Sequence, residues 1–572
     1  MRAASLFGVL TVAHLLMLAG HSIPVSLWTP AAYVWQDLLM ALLFAAVDHA
    51  MKRPKPAWAL YAILALYSAV NVPIARILSS PLTWPMMRAA RGPLLDSIRH
   101  YLTPGNIGAM ATVITAAVVF PLLLHRLKFR LRPSVVVAAI VVTIIGLLAS
   151  AHVETAGKHR NAYGALLPVR IEKHRGLEDG WIDWRTPPFP SDLSSTPLRS
   201  FRGTARGRNV VLIALESTAA QYLGIYGSIA DPMPNLSRLA ERSIVFERAY
   251  AVYPESIKGL FAVLCARYPA FQTPAESYAN VRCPSMAQTL ADAGYSTALF
   301  HSGRFMYLGM EAVIRNRGFD VLEDAGTIGG NVNSSFGVDE PAAVERILKW
   351  IDALPREQPF FITYLPVAGH HPYATPTRGP FPGSTEFANY QNALHYGDES
   401  LGDLLRGLRE RNLENKTLFV VFGDHGEAFG QHEGNIGHSL FIYDENVRVP
   451  YLIGIPGVVT QQIRARHTAS LIDTMPTILD LLGLAIPTSS MGSSLLDPRN
   501  DMALFFTDYS LGFLGLADGC WKYIFEVDSQ RSKLYDMCAD ARETNDRSSD
   551  ESVRVDRYRQ SLQDWISAQT LP

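Results

Sequence analysis

The chain reads as an α/β protein behind a membrane-embedded N-terminal part, and three observations predict this. Long apolar segments crowd the first 152 residues and then stop. From Asn209 onward, short apolar runs alternate with helical stretches. One such run, Thr417–Val421, leads straight into Phe422-Gly423-Asp424-His425-Gly426-Glu427. A β-branched and aromatic run reads as a buried strand. Its glycines are expected to turn the chain and leave a carboxylate and an imidazole at the strand's C-terminal end, where open α/β sheets bind ligands.

The 572 residues exceed a single-domain prior. A formal net charge of −1 supplies no basic field, so no nucleic-acid partner is expected. About 20 apolar residues of helix cross the ~30 Å hydrocarbon layer of a bilayer. Segments near Ser5–Ser26, Ala31–Val47, Ala57–Ile77, Ile107–Leu124 and Ser134–Ala151 approach or reach that length, giving five expected spans. The second is shortest and carries Gln36 and Asp37. The first could be a signal peptide, but four apolar segments follow it and no A-x-A-like site closes it, so it reads as an anchor.

Lys52, Arg53 and Lys55 follow the second segment, and Arg126, Lys128, Arg130 and Arg132 follow the fourth. The positive-inside rule makes those loops cytoplasmic and puts the chain beyond residue 152 outside. The loop from Leu78 to Asn106, with Arg88, Arg91 and Arg99, reads either as an amphipathic helix on the outer face or as a plain surface loop. All four cysteines fall in the outside part, where disulfides form. A Cys520–Cys538 bridge would close a hairpin of Trp521–Val527 and Lys533–Met537, leaving Cys265–Cys283; four free thiols is the alternative.

Residues 153–207 read as a juxtamembrane linker, with Pro187-Pro188-Phe189-Pro190 resisting regular structure. The expected division is therefore 1–152 membrane, 153–207 linker and 208–572 catalytic. Strands are expected at Asn209–Leu215, Ser296–Phe300, Phe360–Leu365, from Thr417, and at Val449–Gly454. Helices are expected at Met233–Ser243, Met286–Ala293, Pro341–Leu354, Phe387–Arg411 and His467–Leu482. This alternation indicates a largely parallel sheet with a small terminal β-hairpin.

Glu216 ends the first strand and could join Asp424 and His425 on one divalent ion, or cap the next helix. Ser256, in Tyr253-Pro254-Glu255-Ser256-Ile257-Lys258-Gly259-Leu260, is a helix N-cap or a metal-activated nucleophile.

In order along the chain, these segments resemble the alkaline phosphatase/sulfatase superfamily. Tyr226-Gly227, Pro234-Asn235-Leu236 with Leu239-Ala240, Val245-Phe246 and Ala249-Tyr250 resemble the sulfatase pattern YG…PN…LA…F…aY. Ala266-Arg267-Tyr268-Pro269 resembles the end of the sulfatase signature and places Ser256 on the nucleophile. His371-Pro372-Tyr373 resembles the H-x-P-[FY] substrate segment, and Asp424-His425-Gly426 the metal motif. Arg448-Val449-Pro450, Asp473 with Pro476-Thr477, and Trp521-Lys522-Tyr523 with Leu534-Tyr535-Asp536 follow in the expected order.

Formylglycine conversion needs Pro and Arg where this chain has Lys258 and Leu260, which disfavours an ordinary sulfatase. Glu216-Ser217 in place of an Asp pair resembles the membrane-anchored lipoteichoic acid synthases and the phosphoglycerol and phosphoethanolamine transferases. Phe300-His301-Ser302-Gly303 resembles their phosphoglycerol-contacting segment, although these transferases use Thr where this chain has Ser256.

The resemblance implies an α/β sandwich with a Zn2+ or Mn2+ ion on Glu216, Ser256, Asp424 and His425. It implies catalytic roles for Ser256, His371, His301 and His438. Lys258, Arg304 and His432 are candidates for substrate binding, with a solvated lysine or a surface salt bridge as the bland alternatives for the first two. His370 reads as a neighbour of His371. The expected reaction moves a phosphoglycerol or phosphoethanolamine headgroup from a phospholipid to an envelope glycan or lipid, at a bacterial inner membrane, with the catalytic domain on the periplasmic or extracellular side. The alternatives are a sulfatase-family hydrolase of sulfuric esters or phosphodiesters, and a non-catalytic binding or export component.

Overall fold

The computed structural model describes residues 1–51, 53–89, 101–128, 132–168, 183–190, 196–330, 339–497 and 502–569. These form two compact units. The first comprises Met1–Arg170 with Gly430–Ile436 and Tyr509–Leu511; the second comprises Ile171–Phe429, Gly437–Asp508 and Gly512–Pro572.

The first unit is built on helices α1 (Arg2–Leu18), α2 (Thr29–Ala50), α3 (Pro54–Leu78), α4 (Pro104–Arg126) and α5 (Pro133–Ala149). Of the five expected spans, α2, α3 and α4 are long and apolar enough to cross a membrane. The other two, α1 and α5, are helices of 17 residues, about 26 Å at 1.5 Å per residue. Asp37, which weakens the sequence case for the second span, is buried and partnered. Its carboxylate lies 3.1 Å from His14 Nδ1 and accepts the Asn161 amide at 2.9 Å. An ionisable residue facing a partner inside a bundle is how such groups are tolerated there. A short helix, Trp84–Ala89, follows α3, while Arg91 and Arg99 lie outside the described residues.

The second unit is organised around an eight-stranded sheet. Its strands are β1 (Asn209–Leu215), β2 (Ser243–Phe246), β3 (Ser296–His301), β4 (Val321–Glu323), β5 (Phe360–Leu365), β6 (Thr417–Gly423), β7 (Tyr451–Gly454) and β8 (Ile463–Ala465). The spatial order is β8-β2-β7-β6-β1-β5-β3-β4. Only β7 runs antiparallel to its neighbours, β2 and β6. The central strands β1, β5 and β6 are buried at every position because both faces are covered. Val210, Leu212 and Ala214 face one core, and Val211, Ile213 and Leu215 face the other.

The strand expected at Val449–Gly454 is broken at Pro450, whose missing N–H removes it from the ladder, into Arg448–Val449 and β7. The helix expected from His467 starts at Thr474, after a two-residue strand and a 3-10 turn. The expected terminal hairpin is part of a larger four-stranded antiparallel sheet, β9 (Met502–Thr507), β10 (Phe513–Asp518), β11 (Trp521–Glu526) and β12 (Arg531–Asp536). The cysteines pair as Cys265–Cys283 and Cys520–Cys538.

Candidate metal centre and active site

Adjacent parallel strands deliver the first ligands. The β1–β6 register sets Leu215 against Gly423, so Glu216 and Asp424 emerge side by side at the strand ends. The Asp424 amide donates to the Leu215 carbonyl at 3.0 Å. Gly423 has ordinary backbone angles and serves close approach rather than a turn. A Cβ there would sit 2.2 Å from the Thr218 carbonyl oxygen.

Local hydrogen bonds then aim each donor. Asp424 Oδ1 accepts the backbone N–H of Ser217 at 3.0 Å and of His425 at 2.8 Å, leaving Oδ2 towards the pocket. His425 Nδ1 donates to the Gly426 carbonyl at 2.9 Å, which turns Nε2 towards the two carboxylates. That arrangement is how ligating histidines are oriented. Nε2 lies 3.4 Å from Glu216 Oε1 and 3.6 Å from Asp424 Oδ2. One donor atom each from Glu216, Asp424 and His425 falls within 4.8 Å of the others.

Ser256 is the first residue of helix α6 (Ser256–Cys265). Glu255 is the cap, accepting the Ile257 N–H at 3.1 Å, which leaves the Ser256 hydroxyl free for the site. Ser256 Oγ lies 3.0 Å from Glu216 Oε2 and 3.3 Å from His425 Nε2. Two carboxylates, an imidazole and a hydroxyl form a donor set that fits a divalent ion of intermediate softness.

Charge in the pocket points the same way. Burial works to raise the Glu216 carboxyl, but the bond and charge of His425 hold it well below the usual range; His370 and His438 also act on it. Burial and the Glu216 charge push Asp424 up. Burial would lower His425, yet the Asp424 and Glu216 carboxylates raise it to about 10. Two buried acids contesting one proton balance best around a positive charge.

Around this cluster the structure gathers some of the expected residues and not others. His301 lines the pocket with Glu216, Ser256 and Asp424. Its Nδ1 donates to the Leu365 carbonyl at 2.9 Å, and burial lowers its pKa, so the ring is neutral with Nε2 as an acceptor. The His438 ring lies 4.2 Å from that of His425. Its Nδ1 is 2.8 Å from Glu427 Oε2, and Glu427 Oε1 accepts the Tyr373 hydroxyl at 2.9 Å. Burial works to raise Glu427, and the neighbouring His438 holds it below the ordinary value.

His371 packs edge-on against Tyr373, across a cis bond to Pro372. The adjacent His370 has its ring 6.3 Å from that of His438 and acts electrostatically on Glu216 and His301. Sequence reasoning passed over His370. The signal was available, because the first position of H-x-P-[FY] lies two residues before the proline, at His370.

Lys258 is buried against Asp508, with Nζ at 2.7 and 3.0 Å from the two carboxylate oxygens, and 4.5 Å above the Tyr253 ring. It turns away from the metal cluster because α6 carries it to the opposite side from Ser256. Arg304 is half-buried and is not among the residues lining the pocket. His432 lies in the Gly430–Ile436 segment, which belongs to the first compact unit.

Residues 208–484 match the family model described as Sulfatase. The chain carries a sulfatase-family domain over these residues. The sulfatase-family domain is similar to the lipoteichoic acid synthase-like protein YvgJ of Bacillus subtilis, with 25% identity over 51% of this chain and 50% of that protein. It is similar to lipoteichoic acid synthase 2 of the same organism, with 22% identity over 56% of this chain and 52% of the relative. The chain thus spans about half the length of these curated relatives. The mouse arylsulfatase K is 29% identical, but over 25% of this chain and 29% of its own length.

Among solved structures, the Listeria monocytogenes lipoteichoic acid synthase LtaP superposes with a TM-score of 0.51 at 20% identity, covering 66% of this chain and 97% of that one. An alkaline phosphatase superfamily protein from Vibrio parahaemolyticus gives 0.55 at 22%, covering 67% and 92%. Both likenesses show the fold.

Proposed function

We propose that the protein is a membrane-anchored phosphotransferase that moves a phospho-alcohol headgroup from a phospholipid to an envelope glycan or lipid. The observation that carries this reading is the Ser256 hydroxyl, 3.0 Å from Glu216 and 3.3 Å from His425 at the start of a ten-residue helix. The similarity to lipoteichoic acid synthases supports phosphoglycerol as the headgroup. Residues 1–152 anchor the chain in a bacterial inner membrane, and the disulfide-bearing catalytic part, 208–572, works outside.

Glu216, Asp424, His425 and Ser256 would hold one divalent ion, zinc or manganese, which supplies Lewis acidity and favours the serine alkoxide. Ser256 Oγ, its proton released to solvent as the alkoxide forms, makes a bond to the headgroup phosphorus, and the bond from phosphorus to the diacylglycerol oxygen breaks. His438, oriented through Nδ1 by Glu427, gives that oxygen its proton. His301, neutral and presenting Nε2, takes the proton of the acceptor hydroxyl as it attacks phosphorus and releases Ser256. The helix N-terminus stabilises negative charge at Ser256.

Intact mass of the purified protein after incubation with phospholipid and manganese or zinc tests this reading. A Ser256-dependent adduct of phosphoglycerol or phosphoethanolamine mass is expected, and Ser256→Ala should carry none. Free headgroup with no acceptor product would favour the hydrolase reading, which the similarity to arylsulfatase K keeps in view.

A further inference from the structure

Glu340 is the first residue of helix α7 (Glu340–Ala353) and is buried, with no cation among its hydrogen-bond partners within the described residues. Oε1 accepts from Ser302 Oγ at 2.9 Å and from the backbone N–H groups of Val367 at 2.7 Å and Ala368 at 2.9 Å. Oε2 accepts the Tyr364 hydroxyl at 2.5 Å. A buried carboxylate without a counter-ion is costly. The helix N-terminus and the ring of donors offset that cost, but they do not explain why an acid sits there.

The donors themselves suggest a reason. Ser302 follows His301 directly, while Val367 and Ala368 lead into His370 and His371. The Val367 N–H also reaches Ser302 Oγ at 2.8 Å, and the Leu365 carbonyl takes His301 Nδ1. One carboxylate therefore ties the end of β3 to the loop after β5. On its far side that loop approaches the metal cluster closely. A Cβ at Gly369 would lie 2.1 Å from the Glu216 carbonyl oxygen, so residues 367–369 run directly against the backbone of a candidate metal ligand.

We propose that Glu340 is a positioning residue that clamps these two segments together and so sets the placement of His301 and His370 against the metal cluster. The rate readout below rests on the phosphotransfer reading; the ring readout does not.

The experiment uses the full chain in detergent with isotope-labelled histidine, and compares Glu340→Ala, Glu340→Gln and Ser302→Ala. Gln keeps an oxygen for Ser302, Val367 and Ala368, and its amide can donate to Tyr364 once that hydroxyl turns. Glu340→Ala should move the His301 and His370 ring signals and lower kcat by about 10–100-fold, with KM changed less than about threefold and bound metal unchanged. Glu340→Gln should stay within about threefold of wild type. Should Glu340→Ala fail to fold, Ser302→Ala removes the hydroxyl shared by Glu340 and the Val367 N–H and should move the His301 ring signal.

The proposal is overturned if Glu340→Ala, or Ser302→Ala where that is the variant that folds, leaves the ring signals in place. It is also overturned if Glu340→Gln loses as much activity as Glu340→Ala in step with a fall in Tm, which marks a helix-packing role only. A wild-type chain with no transfer activity would reject the phosphotransfer reading, and the ring signals would still decide this one.

Discussion

The two sides of the pocket are built differently. The metal side sits on the ends of β1 and β6, which are paired along their whole length, and each ligand is aimed by a bond to a residue next to it or across one strand. The histidine side combines the end of β3 with two loops. His301 bonds to the Leu365 carbonyl and His438 to Glu427, and Glu340 anchors the backbone that leads to His370. The sheet confers precision on one side with almost no extra parts. The other uses buried carboxylates, Glu340 holding two segments and Glu427 the third.

The sharpest way to break that contrast is to remove groups of the metal side, Ser256 at the start of α6 or Asp424 at the end of β6. Ser256→Ala or Asp424→Asn should lower turnover by about ten-thousand-fold or more, read as steady-state rate on the lipid donor. Asp424→Asn should also abolish thermal stabilisation by added manganese or zinc. A site saturated at 100 times its Kd gains about 2.7 kcal/mol in the wild type.

Loss on the loop side should be graded. Glu427→Gln leaves His438 less firmly oriented and should reduce kcat by about 10–100-fold while metal content stays at one ion per chain. His370→Ala should cost more activity than His371→Ala, whose ring packs on Tyr373; equal losses would mean that both rings reach substrate.

Lys258 supplies the smallest catalytic effect. Lys258→Ala strands the buried Asp508 carboxylate and should destabilise the protein by about 3–5 kcal/mol. Activity per folded molecule should stay near wild type, measured as kcat corrected for the folded fraction at each denaturant concentration.

Much of the strand side was legible in the sequence. A continuous apolar run followed by Asp424-His425 reads as a strand with its ligands, because both ingredients are local. Glu216 was legible for the same reason. The loop side was legible only through motifs, which offered His301 and His438 and, by the H-x-P-[FY] spacing, His370. The bond from Glu340 that holds the residues before His370 spans 27 positions, and no spacing rule encodes it. Lys258 looked available because its partner, Asp508, lies 250 residues on. The four-stranded sheet read as a hairpin because Gly512 and Gly515 interrupt the apolar pattern of β10, and glycine weakens a strand signal.

Ser217 and Asp424 are 207 positions apart and hydrogen-bonded at 3.0 Å. During synthesis at ~5–20 residues per second, β1 emerges roughly 10–40 s before β6 exists to pair with it. For about the first 150 residues of that interval this strand has neither of its neighbours, and β6 follows β5 by about 50 more. The ion therefore cannot seed folding of this pocket, and the nascent chain must be shielded from aggregation until nearly three quarters of it has been made.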